Sequence, residues 1–239
     1  MKPYFEDGGI TVYNADCRDV LSGIATADVA LVLTDPPYGV NVRTDRHTAG
    51  RGRARPRPGA GAASANDFPP VYGDDAPFDP APLLRFKRVV LFGGNHYADR
   101  LPPSASWLVW DKVDGLTSKR GVGFNDNADG ELAWTSLGGP VRIYAHRWMG
   151  LVKDSERRER RLHPTQKPVS LMAQIIGQHT KPGDLVLDPY AGSGPVVRAC
   201  RDLGRRCIAV EIVEAYCAVI VERLRQLALP LDHARPLAR

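Results

Sequence analysis

An α/β protein with a mostly parallel sheet is predicted by three stretches of this sequence. Val29 to Leu33 is a continuous apolar run, β-branched and leucine-rich, of the kind that forms a strand buried on both faces of a parallel sheet. Leu185 to Leu187 is a second such run; the small-residue segment Asp188 to Gly194 follows it, and a helix is predicted from Val196 to Leu203. Arg206 to Val210 supplies a third strand, ending at Glu211, so that strand and helix alternate as they do in doubly wound sheets.

The 239 residues suffice for one substantial α/β domain and not for two. With 43% hydrophobic and 25% charged residues the composition is that of a globular protein. A pI near 9.1 and a formal charge of +5 suit an acidic partner. The distribution of charge is more informative. Arg43, Arg46, Arg51, Arg53, Arg55 and Arg57 fall in one stretch whose only acid is Asp45, and a second basic run covers Lys153 to Lys167. Both suit phosphate contact, and each alone reads equally well as a solvated loop. Cys17, Cys200, Cys207 and Cys217 show no Cys-x-x-Cys spacing, so neither zinc nor a disulfide framework is indicated and a reducing compartment is expected. No signal-peptide pattern follows Met1, and no run reaches the roughly 18 apolar residues of a membrane span. An intracellular protein with no membrane partner is expected.

In chain order, Gly9 to Tyr13 reads as a strand and Asn14 to Cys17 as a polar turn into a helix through Leu21, where Asp16 serves either as cap or as ligand. The buried strand at Val29 follows. Residues 41–72 turn to Arg, Gly, Ala and Pro and hold too little apolar surface to offset ordering, which predicts a mobile basic loop. Ala81 to Phe86 is a predicted helix, Val89 to Phe92 a strand, and His96 to Leu101 a short helix beyond a glycine turn. Trp107 to Trp110, Glu131 to Thr135 and Val141 to Tyr144 are strands, the last two joined as a hairpin through Gly138-Gly139-Pro140. Trp107, Trp110 and Trp134 are assigned to the core. The charged run Lys153 to Arg161 is an exposed helix or loop. Pro168 suits a helix's first position, with Val169 to Gln178 behind it, and His163 is assigned a structural hydrogen-bonding role.

Chemistry concentrates at two strand ends. Asp35 closes the first buried strand at its carboxyl end, where open α/β sheets bind ligands. Pro36 and Pro37 fix two φ angles and remove two donors, leaving carbonyl acceptors on a rigid turn, and Tyr38 adds a flat face. Two acceptors beside a stacking surface match an exocyclic amino group on a planar base. At the other strand end, Ala191, Gly192, Ser193 and Gly194 let a ligand approach the backbone. Glu211, one strand along and roughly 20 residues on, is placed for ribose hydroxyls. The loop is neither GxxxxGK[ST] nor a full GxGxxG, so no pyrophosphate is required. A ribose without pyrophosphate fits S-adenosylmethionine.

On these residues the chain resembles the DNA amino-methyltransferases that modify adenine N6 or cytosine N4. The resemblance rests on Asp35-Pro36-Pro37-Tyr38 as catalytic motif, Asp188 to Gly194 with Tyr190 as cofactor loop, and His163 to Pro168 before the cofactor strand, in the permuted order called the beta class. It covers Tyr13 to Leu227. It implies a Rossmann-like methyltransferase fold, a seven-stranded mostly parallel sheet with helices on both faces, in a single domain, and a cell that is prokaryotic or phage-encoded machinery within one. It also implies that Asp16 and Cys17 border the cofactor's adenine, that Thr165, Gln166 and Lys167 lie near its methionine end, and that residues 115–161 hold a short target-recognition region. Duplex DNA is the implied partner; a homodimer and a companion restriction nuclease are left open.

Asp before Pro-Pro favours adenine N6 over cytosine N4. A protein glutamine methyltransferase resembles an Asn-Pro-Pro-Tyr pattern placed after the cofactor loop, the opposite of the order here. A DNA-binding module without catalysis has no need of Asp35 or of Gly192-Ser193-Gly194.

Overall fold

A computed structural model of the chain describes residues 1–42, 68, 71–113, 128–149, 152–157, 159 and 161–225. The described elements are, in order, β1 (Phe5–Asp7), β2 (Ile10–Asn14), α1 (Cys17–Leu21), β3 (Val29–Thr34), α2 (Ala81–Leu84), β4 (Val89–Phe92), β5 (Trp107–Asp111), β6 (Gly130–Thr135), β7 (Arg142–Ala145), β8 (Trp148–Met149), β9 (Val152–Lys153), α3 (Val169–His179), β10 (Leu185–Asp188), α4 (Pro195–Asp202), β11 (Arg206–Glu211) and α5 (Glu214–Arg225). They form two compact units. The first comprises Met1–Thr34, Phe86–Arg88 and Lys167–Arg239, the second Asp35–Arg85 and Val89–Gln166.

In the first unit the strand order is β1-β2-β11-β10-β3, with β2, β11, β10 and β3 parallel and β1 antiparallel at the margin. Leu31, Val32, Leu33, Val186, Leu187 and Val210 have no exposure, which is what continuous apolar strands predict for a sheet covered on both faces. Because these four strands are parallel, Asn14, Thr34, Asp188 and Glu211 share one carboxyl edge, the edge at which such sheets bind ligands. β1 is three residues long and carries no strand signal of its own in the sequence. It joins β2 through Gly8 and Gly9, both at positive φ, a two-residue turn that only glycine-type residues form readily. α5, beyond the elements expected from the sequence, buries Tyr216, Cys217, Ile220, Val221 and Leu224 along one helical stripe. All four cysteines are free and buried.

The second unit has the order β4-β6-β5-β7, with β6 antiparallel to both β4 and β5 and β7 parallel to β5. The predicted hairpin between β6 and β7 is therefore corrected: β5 lies between them, and the segment 136–141 passes across its end. Ser106, just before β5, donates from Oγ to the Gly138 carbonyl at 3.0 Å and holds that crossing. With ladder partners on both sides, β5 satisfies the backbone groups that a β6–β7 pair would have left open on it. The indole N–H groups of Trp107, Trp110 and Trp134 each donate to a backbone carbonyl, of Ser104, His146 and Pro102, so these rings are structural. The predicted helix at His96 is two 3-10 turns, Gly94–His96 and Ala98–Arg100. Pro168 is the cap of α3 and not its first residue; its backbone is extended, and its carbonyl accepts from Met172. Among the described residues the first unit holds a five-stranded sheet and the second holds four sheet strands and a separate antiparallel pair, β8 and β9, where the resemblance implies seven strands. Among the described residues no helix is long and apolar enough to cross a membrane.

Candidate active site

The first unit holds the loop read as the cofactor site. β10 delivers Asp188, 2% exposed, to the carboxyl edge, where its Oδ1 accepts from Thr34 Oγ1 at 2.7 Å and from the Tyr190 amide at 3.3 Å. Gly192 and Gly194 then take positive φ, and the Gly194 amide closes a tight turn on the Ala191 carbonyl at 2.8 Å. A Cβ on Gly194 would lie 2.7 Å from Ile220 Cγ1, so α5 packs directly on the loop backbone and glycine is required there. Glu211 Oε2 accepts from Gly192 N at 2.8 Å and Oε1 from Val213 N at 2.8 Å. Burial pushes its carboxyl above the usual range, and those backbone donors oppose the shift. Arg223, 3% exposed, reaches from α5 to the Ser193 carbonyl at 3.0 Å. Ser193 Oγ is buried without a hydrogen-bond partner among the described residues, a polar atom suited to an incoming ligand.

Asp16 caps α1 by accepting from the Arg18 amide at 2.9 Å, and its carboxylate also pairs with the Arg18 guanidinium, which holds its pKa below the ordinary value. Cap is the role this geometry displays, and it leaves the ligand alternative as a proposal. Cys17 is hydrogen-bonded to the Tyr190 hydroxyl; burial raises the pKa of both groups. Thus Asp16, Cys17, Tyr190 and the loop from Asp188 to Gly194, with Glu211, gather in one unit. Lys167, buried at 4% exposure, belongs to it as well.

The second unit holds the motif read as catalytic. The Tyr38 hydroxyl donates to Asp35 Oδ1. Burial raises the Tyr38 pKa well above the ordinary value, and the Asp35 carboxylate adds to the shift. The phenol therefore stays protonated and remains a donor. Its ring stacks on His96, with centroids 4.9 Å apart and planes 11° from parallel. Gly93, at φ 71°, is in contact with the ring: a Cβ there would fall 2.0 Å from Tyr38 Cε1. The backbone after Tyr38 is tied to Asp74, 4% exposed, whose Oδ1 accepts from the amides of Tyr38 and Gly39 at 2.9 Å and of Val40 at 3.3 Å, and whose Oδ2 accepts from Val42 at 2.6 Å. Thr165 and Gln166 also lie in this unit. His163 Nδ1 accepts from Thr165 N at 3.2 Å, the structural role expected of it, and Gln166 Oε1 accepts from Leu162 N at 2.8 Å. The three residues read as neighbours of the methionine end are thus divided between the units. Arg43, Arg46, Arg51, Arg53, Arg55 and Arg57 lie outside the described residues, as do residues 115–127, 150, 151, 158 and 160 of the region 115–161.

Thr34, His96, Asp74 and Arg223 were not singled out in the sequence. Thr34 carried a signal, a polar residue closing an apolar strand; the other three are recruited from distant segments by the fold alone.

A family model described as DNA methylase, N6_N4_Mtase, matches residues 105–222. Over these residues the chain resembles the N6/N4 DNA methylases. Over 76 residues, 32% of its length, it is 40% identical to the Type II methyltransferase M.HinfI of Haemophilus influenzae, of which the match covers 21%. Over 77 residues, also 32%, it is 38% identical to the Type II methyltransferase M2.DpnII of Streptococcus pneumoniae, of which the match covers 29%. The chain therefore spans less than a third of the length of these relatives. Among solved structures, the PvuII DNA methyltransferase, described as cytosine-N4-specific, aligns with a TM-score of 0.59 at 16% identity over 95% of this chain and 90% of that one. That likeness establishes the family's α/β fold for the chain.

Proposed function

We propose that this chain transfers a methyl group from S-adenosylmethionine to the exocyclic N6 of adenine in duplex DNA, with the target base turned out of the helix. The observation that carries the reading is the Asp35-Pro36-Pro37-Tyr38 turn, in which the Tyr38 hydroxyl donates to Asp35. An aromatic amino nitrogen is a poor nucleophile because its lone pair is delocalised into the ring. Asp35 and the Pro36 carbonyl accept the two amino hydrogens, draw the nitrogen toward tetrahedral geometry and direct its lone pair outward. Tyr38 orients the carboxylate and receives the base on its ring, so that His96 gives up its place in the stack. Such positioning is worth about 7–11 kcal/mol where the reacting atoms are held in line. A base inside the duplex cannot reach the turn, which is why flipping is part of the reading.

S-adenosylmethionine, when bound, supplies the electrophilic sulfonium methyl. Supporting it as cofactor are the small-residue loop Ala191 to Gly194, the Ser193 hydroxyl with no partner among the described residues, and the Glu211 carboxylate that fixes the loop from below. Asp16 and Cys17 are assigned to its adenine, Tyr190 to its loop, and Thr165, Gln166 and Lys167 to its methionine end. The arginines from Arg43 to Arg57 are assigned to DNA phosphates.

The test is incubation with unmethylated duplex DNA and methyl-labelled S-adenosylmethionine, then digestion to nucleosides and mass spectrometry. Label in N6-methyladenine is expected. Label in N4-methylcytosine keeps the chemistry and replaces the acceptor; no labelled nucleoside from protein that binds the cofactor overturns the reading.

A further inference from the structure

We infer that Asp74 is a positioning residue for methyl transfer: its buried carboxylate gathers the backbone amides that follow the catalytic turn and thereby fixes Tyr38 against Asp35. The inference rests on the reading of Asp35 to Tyr38 as the acceptor site.

Backbone demand is unusual in this segment. Pro36 and Pro37 have no N–H, and residues 38–42 form neither helix nor strand, so their amides lack the partners that regular structure provides. All five are directed at one residue. Four go to the Asp74 carboxylate, and the Asn41 amide donates to the Asp74 carbonyl at 2.9 Å. The carboxylate is an acceptor on both oxygens, and three amides converge on Oδ1 and one on Oδ2. Bonds of this kind are charge-assisted and about twice as strong as neutral ones.

The turn also needs this support for conformational reasons. Gly39 sits at φ 76° and Asn41 at φ 51°, two left-handed residues within three positions. Gly39 lies so close to residues 76 and 77 that a Cβ on it would be 2.7 Å from the Ala76 carbonyl oxygen. Residues 74–77 therefore clasp the turn from one side through both the carboxylate and the backbone. Tyr38 links the clasp to chemistry, since its amide is held by Asp74 while its hydroxyl donates to Asp35. Asp74 itself is not a catalytic residue; its two oxygens are occupied by amides.

The isosteric variant Asp74→Asn separates this role from simple folding. An amide side chain keeps one oxygen for Tyr38, Gly39 and Val40 but turns an N–H toward the Val42 N–H, two donors at a 2.6 Å contact. The experiment uses the full chain as wild type, D74N and D74A, with three readouts: backbone hydrogen exchange of the peptide spanning residues 38–42, equilibrium binding of S-adenosylmethionine, and methyl transfer to duplex DNA. In D74N the 38–42 amides exchange about tenfold faster or more, kcat falls about tenfold or more, and cofactor affinity and its KM stay within about twofold. D74A shows the same pattern more strongly, and if it does not fold, D74N carries the test. Wild-type exchange at residues 38–42 in D74N overturns the inference, and so does faster exchange with unchanged kcat. Failure of wild-type protein to label DNA overturns the acceptor-site reading instead, and the exchange measurement then still decides whether Asp74 holds the turn.

Discussion

Replacing Gly93 by alanine puts a methyl group into the space of the Tyr38 ring. The added carbon would lie 2.0, 2.3 and 2.5 Å from Tyr38 Cε1, Cζ and Cδ1, where carbon atoms normally approach no closer than about 3.5 Å. The ring must retreat by roughly 1.5 Å, which takes its hydroxyl out of reach of Asp35. A hydrogen bond to a charged acceptor is worth ~1.5–3 kcal/mol, and alanine at a left-handed φ costs a further ~1–2 kcal/mol. If the first quantity appears in full in the transition state, single-turnover transfer falls about 10- to 150-fold. Both together destabilise the fold by ~2.5–5 kcal/mol, or roughly 5–20 °C in Tm for a chain of this size. The assay pairs labelled transfer with thermal denaturation and a cofactor titration. Cofactor affinity is expected to hold, because the loop Asp188 to Gly194 belongs to the other unit. A G93A protein with wild-type Tm and wild-type rate refutes the packing argument.

Two further outcomes rest on the geometry and a third on the sequence. Thr34→Val removes the donor at 2.7 Å from a carboxylate 2% exposed, and should cost ~1.5–3 kcal/mol, read as a Tm fall of roughly 3–12 °C; an unchanged Tm contradicts it. Glu211 holds the Gly192 and Val213 amides best when ionised, and burial raises its pKa. Protonation therefore begins at a higher pH than for an ordinary glutamate, so cofactor affinity should weaken on acidification with a midpoint above the unperturbed value of 4.5, and E211Q should abolish that dependence; titration across acid pH checks it. Reversing the charges of Arg51, Arg53, Arg55 and Arg57 should weaken DNA binding and flatten its dependence on salt, whereas an unchanged salt slope removes these residues from the phosphate contacts.

The contrast between what was legible and what was not has a physical basis. Continuous apolar strands such as Val29 to Leu33 and Leu185 to Leu187 declare burial on both faces, and β3 and β10 occupy those positions. Polar residues close those strands, so the places of Asp35, Asp188 and Glu211 at or just beyond the carboxyl ends were readable by position. Strand order was not: the glycines at 138 and 139 suggest a hairpin, but insertion of β5 between β6 and β7 depends on pairing between segments far apart in the chain. The same holds for Asp74 and Arg223. An aspartate that collects amides from 32 to 36 positions away leaves no local pattern, and neither does an arginine that reaches 30 positions back to Ser193. His96 was read as part of a short helix, and its stacking on Tyr38 follows from the left-handed turn at Gly93.

The proposed function divides the labour, with Asp35 serving the acceptor and the loop Asp188 to Gly194 the cofactor. Single-turnover transfer and cofactor binding measured together on Asp35→Ala test it most directly. Label in DNA is expected to be abolished while S-adenosylmethionine binds as it does to wild type. Transfer that survives in D35A, or affinity for the cofactor that falls in step with transfer, contradicts it.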